Sequence, residues 1–323
     1  MDASKKLPSI VILRGGKERH EASLKEGASL LSLIRARGYN PTDIYIDEFG
    51  VWHNKGLPVE MHNIFSDADF YIDLTTVMPA HAGEKEFSHH DLAKRMGITR
   101  IFDFSKYSYL HDRENVYRIL RQHNILVPDT YVIRIKDDLS ISKLQEFWKK
   151  IYTPYIVRYF NKKHNSPSIL VKSFDEFKNT VEKFKEERED ILVMTYRNFP
   201  PYSIAVLPEY RGEKLYTPLA VQTLSQNYDL PNDEHTKALC MHLHQNDKQE
   251  ISNLAKRTHE ALGLNSHVLV DMVKTPKGYM VVEVQINPSL KEESRFSQSL
   301  ATTGVDVGHY ICSRYLDSEK INN

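Results

Sequence analysis

Short apolar runs and segments of helical period alternate along the whole chain. Ile10-Val11-Ile12-Leu13 is apolar throughout and is bounded by Arg14-Gly15-Gly16, which predicts a buried strand followed by a tight turn. Ser23 and Glu26 are spaced as a capping box, Leu24, Ala28, Leu31 and Ile34 follow at helical period, and Gly38 stands where that helix would stop. Asp43-Ile44-Tyr45-Ile46-Asp47 and Asp69-Phe70-Tyr71-Ile72-Asp73-Leu74 predict two more strands. Strand, helix, strand, strand opens an α/β layer with a parallel sheet.

The middle of the chain changes rhythm. Asp91 to Gly97 and Asp112 to Asn124 predict helices, the second with Val116, Ile119 and Leu120 on one face. Strands are expected at 130–133, 155–159 and 169–171, a helix at 142–151, and a second capping box, Ser173 with Glu176, opens a charged helix ending near Glu189. The last third is strand-rich. Runs at 191–195, 202–207 and 215–224 read as strands, with Arg211-Gly212 as a hairpin turn. Residues 227–248 are polar and read as a surface loop. A helix carrying Ile251, Leu254, Ala255 and Leu262 ends at Gly263, a hairpin joins 268–273 to 279–284, and a final helix carries Val307, Tyr310, Ile311 and Tyr315. No Pro/Gly/Ser linker separates these parts, so the lobes are expected to pack closely.

Composition narrows the partners. Forty-three basic residues against forty-three acidic ones give zero net charge, which removes the bulk electrostatic argument for nucleic acid or an anionic membrane. The apolar runs are too short for a membrane span. Two cysteines, Cys240 and Cys312, build neither a disulfide framework nor a C-x-x-C pair, so a reducing, cytoplasmic location is expected. Cys240, His242 and His244 alternate, but without a fourth ligand in spacing they read as an exposed loop rather than a zinc site. His89-His90 and the run Lys183, Lys185, Glu186, Glu187, Arg188 read as solvated helix faces.

The chemistry concentrates in the late hairpin. Asp271 lies within Val268-Leu269-Val270-Asp271-Met272-Val273, and Glu283 and Gln285 lie within Val281-Val282-Glu283-Val284-Gln285-Ile286-Asn287-Pro288. Glu283 and Gln285 are two apart and share a face. Carboxylates among apolar residues are costly unless paired or bound to a cation. Two readings follow: a hairpin with its carboxylates at the solvent side, or a magnesium site of Asp271, Glu283 and Gln285 for an ion carried on nucleotide phosphates.

That hairpin, with the acidic strand before it, resembles the metal-binding end of the ATP-grasp fold. The opening Gly15-Gly16-Lys17-Glu18-Arg19-His20-Glu21-Ala22-Ser23-Leu24 is similar to the start of the D-alanine–D-alanine ligases. The resemblance covers nearly the whole chain. It implies a mixed α/β (α+β) architecture: an N-terminal Rossmann-like lobe at 1–104, a small central lobe at 105–190 and a C-terminal lobe with the metal site at 191–323. It implies ATP and Mg2+, small amino-acid substrates, a role in peptidoglycan synthesis, and a homodimer as a candidate assembly. By the same resemblance Glu21, Ser23, Glu84 and Ser294 hold the substrates, and Glu21, Arg158 and Ser294 serve catalysis. Arg113, Arg158, Lys162, Lys163, Met194, Thr195, Tyr196 and Arg197 hold ATP.

This chain departs from the family pattern at several positions. Arg113 and Arg158 stand where the family has lysines, which trades a compact ammonium for a planar fork. Residues 161–168 form a phosphate lid without a glycine, in a chain whose 13 glycines are already few. Pro201 replaces the ribose glutamate. Leu269 replaces the arginine that stabilises the developing oxyanion in the family, with His267 the neighbouring candidate to replace it. The expected function is an ATP-dependent ligase joining two amino acids through an acyl phosphate. The alternatives are a homologue that binds nucleotide or a small ligand without turnover, and a ligase of another amino acid or peptide.

Overall fold

The computed structural model describes residues 7–17, 20–75, 89–102, 110, 112–134, 136–137, 139–150, 154–160, 169–188, 190–195, 201–224, 237–240 and 243–317. The N-terminal lobe runs β1 (Ile10–Gly15), α1 (His20–Arg35), β2 (Thr42–Ile46), β3 (Trp52–Asn54), β4 (Leu57–Pro58), α2 (Met61–Phe65), β5 (Phe70–Asp73), α3 (His89–Arg95) and β6 (Thr99–Ile101). Its sheet has the order β4-β3-β2-β1-β5-β6. The strands from β2 to β6 are parallel, and β3 and β4 add an antiparallel edge. Alternation sorts the two faces. Ile10, Ile12, Phe70 and Ile72 pack with Leu30, Leu31 and Ile34 of α1. Val11, Leu13 and Tyr71 pack with Trp52, Phe65 and Ala93 on the other side.

Helix α1 starts before Ser23, so the capping-box reading of Ser23 and Glu26 is corrected. Ser23 is fully buried and its hydroxyl accepts from the Gly15 amide at 3.0 Å, bracing the β1–α1 turn. Glu26 accepts from the Ser289 hydroxyl at 2.5 Å. The turn requires its glycine at position 15. Gly15 has φ +94°, and a Cβ there would lie 2.2 Å from the Ile46 carbonyl oxygen.

The central part runs α4 (Arg113–Gln122), β7 (Thr130–Ile133), α5 (Ile141–Lys150), β8 (Tyr155–Tyr159), β9 (Ile169–Val171), α6 (Phe174–Glu186) and β10 (Ile191–Thr195). Asp112 caps α4 and Ser173 caps α6 through side-chain oxygens, as the sequence predicts. The antiparallel sheet β7-β10-β8-β9 turns Tyr155, Val157, Ile191 and Val193 toward Leu144, Phe177 and Phe184 of α5 and α6. Its opposite face carries Ile156, Arg158, Leu192 and Met194. Leu192 and Met194 join the large core that includes the C-terminal lobe. Because β10 pairs with β7 and β8, we propose the lobe boundary after Thr195 rather than at 190/191.

The C-terminal lobe runs β11 (Tyr202–Tyr210), β12 (Glu213–Tyr216), β13 (Val221–Leu224), β14 (Lys237–Cys240), α7 (Gln245–Ala261), β15 (Val268–Thr275), β16 (Gly278–Gln285), α8 (Arg295–Ala301) and α9 (Val307–Ile311), the last continued by a π-turn at Cys312–Leu316. Its sheet has the order β14-β13-β11-β15-β16. The expected surface loop at 227–248 is corrected at two places: β14 pairs with β13, and α7 already begins at Gln245. Helix α9 returns to α1, where Gly308 packs so closely that a Cβ would sit 2.7 Å from the Leu33 Cβ. Tyr39 reinforces this return by donating to Asp317 at 2.7 Å. No described helix is long and apolar enough to cross a membrane.

Candidate active site

The hairpin places Asp271 directly opposite Glu283, and the ladder slips by a bulge just after Asp271. Gln285 reaches across and donates to Asp271 Oδ2 at 3.2 Å. The three residues expected to hold a metal are therefore adjacent. Each carboxylate also has a guanidinium. Asp271 is 1% exposed and its Oδ1 accepts from Arg295 at 2.5 Å and from Ser203 at 2.6 Å. Glu283 pairs with Arg113, and Arg158 lies 3.8 Å from its second oxygen. Arg113, Arg158 and Arg295 together pull the Glu283 carboxyl down to about 2 despite its burial. Burial pushes Asp271 the other way, against the opposing pull of Arg295.

Arg158 sits on the face of β8 that turns to the large core, opposite Leu192 in register, and is 6% exposed. Its Nε has no hydrogen-bond partner among the described residues. Burial and the neighbouring Arg113 push its titration down to about 9, so it stays a cation at neutral pH. Three guanidiniums face two carboxylates here, and a buried donor is left over. The arrangement is short of one anion, and a phosphate would supply it.

Arg295 was not legible as part of this site. It enters from α8, an element the sequence pattern does not announce, and brings a buried cation beside Asp271 where the strand carries Leu269 instead of arginine. The one available signal was that missing strand arginine. His267 does not fill the role. Its ring lies 4.2 Å from Phe102 and 5.0 Å from Phe296, centroid to centroid, and burial lowers its titration to about 3, so it is neutral.

The remaining expected residues are distributed as follows. Met194 and Thr195 end β10, both buried, with the Thr195 amide donating to the Asp129 carbonyl at 3.1 Å. Ser294 is the N-cap of α8: its hydroxyl accepts from the Ser297 amide at 3.2 Å and donates to the Ser289 carbonyl at 2.7 Å. The hydroxyl of the same Ser289 reaches Glu26, so the α8 cap is tied to α1. Glu21 is exposed on the first turn of α1, and no hydrogen bond or ion pair among the described residues joins it to the Asp271–Glu283 pair. Glu84, Lys162, Lys163, Tyr196 and Arg197 lie outside the described residues, as do His81, His242 and the side chain of Cys240. A cavity of about 660 Å³ lined by Arg100, Phe102, His259, Leu264 and Tyr315 contains none of the expected site residues. The chemistry of the hairpin outweighs its size as a guide to function.

The donor set fits a hard divalent ion brought in on phosphates. Asp271 Oδ2, the Glu283 carboxylate and the Gln285 amide are neighbours, and the surplus cation at Arg158 calls for the phosphate oxygens that would accompany the ion. Three sheets in a mixed α/β chain, with a cationic sheet face opposed to a carboxylate-bearing hairpin, make up the architecture of the ATP-grasp ligases. The chain belongs to the D-alanine–D-alanine ligase family: the family model described as the D-ala D-ala ligase C-terminus matches residues 119–313. A D-alanine–D-alanine ligase of Francisella philomiragia is 21% identical over 311 residues, covering 94% of this chain and 96% of that relative. The crystal structure of D-alanyl-alanine synthetase A from Vibrio cholerae aligns with TM-score 0.75 at 14% identity, covering 99% of this chain and 100% of the other. That of a D-alanine–D-alanine ligase from Bacillus anthracis complexed with ATP aligns with TM-score 0.71 at 15% identity, covering 97% and 98%.

Proposed function

We propose that this chain is an ATP-dependent acid–amino-acid ligase that joins two amino acids, with a pair of D-alanines as the first substrates to test. The observation that carries the reading is the buried Arg158, which shares Glu283 with Arg113 and keeps an Nε without a hydrogen-bond partner among the described residues, within a family of such ligases. In the reaction the γ-phosphoryl group passes from ATP to a carboxylate oxygen of the first amino acid, leaving ADP. The amine of the second, its ammonium proton lost to solvent, then attacks the acyl carbon. The C–N bond forms, the acyl C–O bond breaks with its electron pair going to the departing inorganic phosphate, and the remaining extra N–H proton passes to solvent.

This chain contributes positioning and charge. Arg113 and Arg158 take the phosphate oxygens, exchanging their contact with Glu283 for contact with nucleotide. Met194 and Thr195 edge the adenine subsite in this reading, and Tyr196, Arg197, Lys162 and Lys163, outside the described residues, are assigned to ATP by the family resemblance. Magnesium held by Asp271, Glu283 and Gln285 would neutralise phosphate charge as a Lewis acid. Arg295, fixed by Asp271 and Ser203, supplies the buried cation that the strand lacks at Leu269. Glu21, Ser23, Glu84 and Ser294 are assigned to the amino acids, Ser294 by turning its hydroxyl from the Ser289 carbonyl to a substrate carboxylate.

Phosphate release from Mg-ATP in the presence of D-alanine, with other D- and L-amino acids run alongside, tests the reading. D-alanine-dependent release is expected, and Glu283→Gln should reduce it at least about a hundredfold. Release with a different amino acid would keep the ligase and move the substrate. A thermal shift with Mg-ATP and no phosphate release with any amino acid would overturn ligase activity in favour of nucleotide binding alone.

A further inference from the structure

The N-terminal lobe contains a second cluster that the ligase reading does not use. Asp73 ends β5 with its side chain wholly buried, and α3 begins with His89 and His90 directly over it. The expected placement of these histidines on a solvated helix face is corrected: both Nε2 atoms lie 3.2 Å from Asp73 Oδ2. Arg100 Nη2 from β6 lies 3.3 Å from the same oxygen.

Three nitrogens around one carboxylate oxygen are more than its lone pairs can serve as acceptors. None of the three distances is the 2.7–2.9 Å typical of a charge-assisted bond. The lengths match another arrangement. Ligand atoms held about 2.0–2.1 Å from a tetrahedral zinc ion lie about 3.3 Å from one another. Asp73, His89 and His90 each offer one ligand atom, all within 4.8 Å of one another.

The surroundings are those of a supported coordination shell. His90 Nδ1 faces the Tyr71 hydroxyl at 2.9 Å, which fixes the ring and leaves Nε2 turned to the centre. Asp73 Oδ1 accepts from the Thr75 amide at 2.8 Å and the Thr75 hydroxyl at 2.6 Å, which leaves Oδ2 for the centre. Trp52 packs edge-on against His89 at 5.7 Å between centroids. The His89 and His90 side chains are 17% and 28% exposed, so solvent, and an ion, reach the cluster.

We propose that Asp73, His89 and His90 form a binding site for a late first-row divalent metal ion of the zinc or cobalt class, distinct from the phosphate-end site of the hairpin. Two imidazoles and one carboxylate favour such ions over magnesium. Arg100 stays on the carboxylate as an outer donor and offsets its charge. The site pins α3 to the end of β5. Through Thr75, whose Cβ would be 3.0 Å from a Cβ on Gly16, it also braces the glycine turn after β1.

The untagged, metal-stripped full chain is titrated with Co2+ alone, followed by visible absorption, and then with Zn2+ as competitor. One equivalent of Co2+ with the intense ligand-field bands of tetrahedral coordination is expected, displaced by Zn2+ and unaffected by excess Mg2+. His90→Asn and Asp73→Asn should abolish the bands, and Glu283→Gln should leave them intact. Tyr71→Phe keeps all three ligands and should weaken Co2+ about tenfold, which keeps the test valid if a ligand variant fails to fold. Absence of tetrahedral bands in the stripped wild-type chain, or bands that survive in folded His90→Asn, would overturn the site and leave a buried ion network.

Discussion

Asp271 and Arg295 are each 1% exposed and hold each other at 2.5 Å, with Ser203 bonded to both. Removing one partner of such a pair strands the other charge in the core, at a cost of about 3–5 kcal/mol. Arg295→Met should lower the urea midpoint accordingly, and adding Asp271→Leu should recover a good part of the loss. Strictly additive losses in that double variant would show that the two are not coupled. His267 makes a separate prediction about pH. Its folded value of about 3 lies below the ordinary 6.5, so in acid the unfolded chain takes up a proton that the folded chain refuses. That stability is complete above pH 6.5 and is lost as pH falls toward 3, by roughly 5 kcal/mol at most. His259, also lowered by burial, acts in the same direction. His267→Phe, among Phe102, Phe296 and Tyr310, should flatten the stability curve across that window, and an unchanged slope would refute it. Neither His267 nor Arg295 was readable from its neighbours in sequence. A lone histidine in a strand looks the same whether it faces aromatic rings or a ligand, and Arg295 meets Asp271 only through the fold.

Elements with strong local signals were legible in the sequence: β1 and β5 from their apolar runs, α6 from Ser173 and Glu176, and the β15–β16 hairpin from its two apolar strands. The elements missed are short or polar. Helix α8 is Arg295–Ala301, opened by Ser294 without an acidic partner three residues on, so no capping box marks it. Strand β14 is four residues within a polar stretch and exists because β13 offers it a ladder. The β1–α1 turn was located correctly but its capping was not, because the Ser23 hydroxyl serves the Gly15 amide from inside the helix. Gly15 is therefore the element-level test. Gly15→Ala adds a Cβ 2.2 Å from the Ile46 oxygen at a φ of +94°, so β1 and β2 must part there. A loss of about 1–3 kcal/mol is expected in thermal or urea unfolding. Gly38→Ala, also at positive φ but with nothing within 4 Å, should cost less. Equal losses would mean that backbone conformation, and not the close approach to β2, decides.

At the scale of the whole molecule, Glu283 is the point where two elements of the central part meet the C-terminal lobe. Arg113 comes from the start of α4, Arg158 from the face of the central sheet, and Glu283 itself from the C-terminal hairpin. Arg113 and Arg158 share the single Glu283 carboxylate across the boundary between lobes, which leaves positive charge over. In the proposed ligase, a phosphate chain would compete with Glu283 for the two guanidiniums and release the carboxylate for a divalent ion. Nucleotide and magnesium should therefore bind with positive coupling, and by linkage each must raise the affinity of the other by the same factor. Calorimetric titration of Mg2+ into the nucleotide-free chain should give little heat, and the same titration with a non-hydrolysable ATP analogue present should show saturable binding. Arg158→Met removes one competitor for Glu283, so it should weaken the analogue while narrowing the gap between the two magnesium titrations. If magnesium binds equally with and without the analogue, Glu283 is not exchanged between guanidinium and metal. The lobes would then be joined by a static ion network rather than by one that the nucleotide opens.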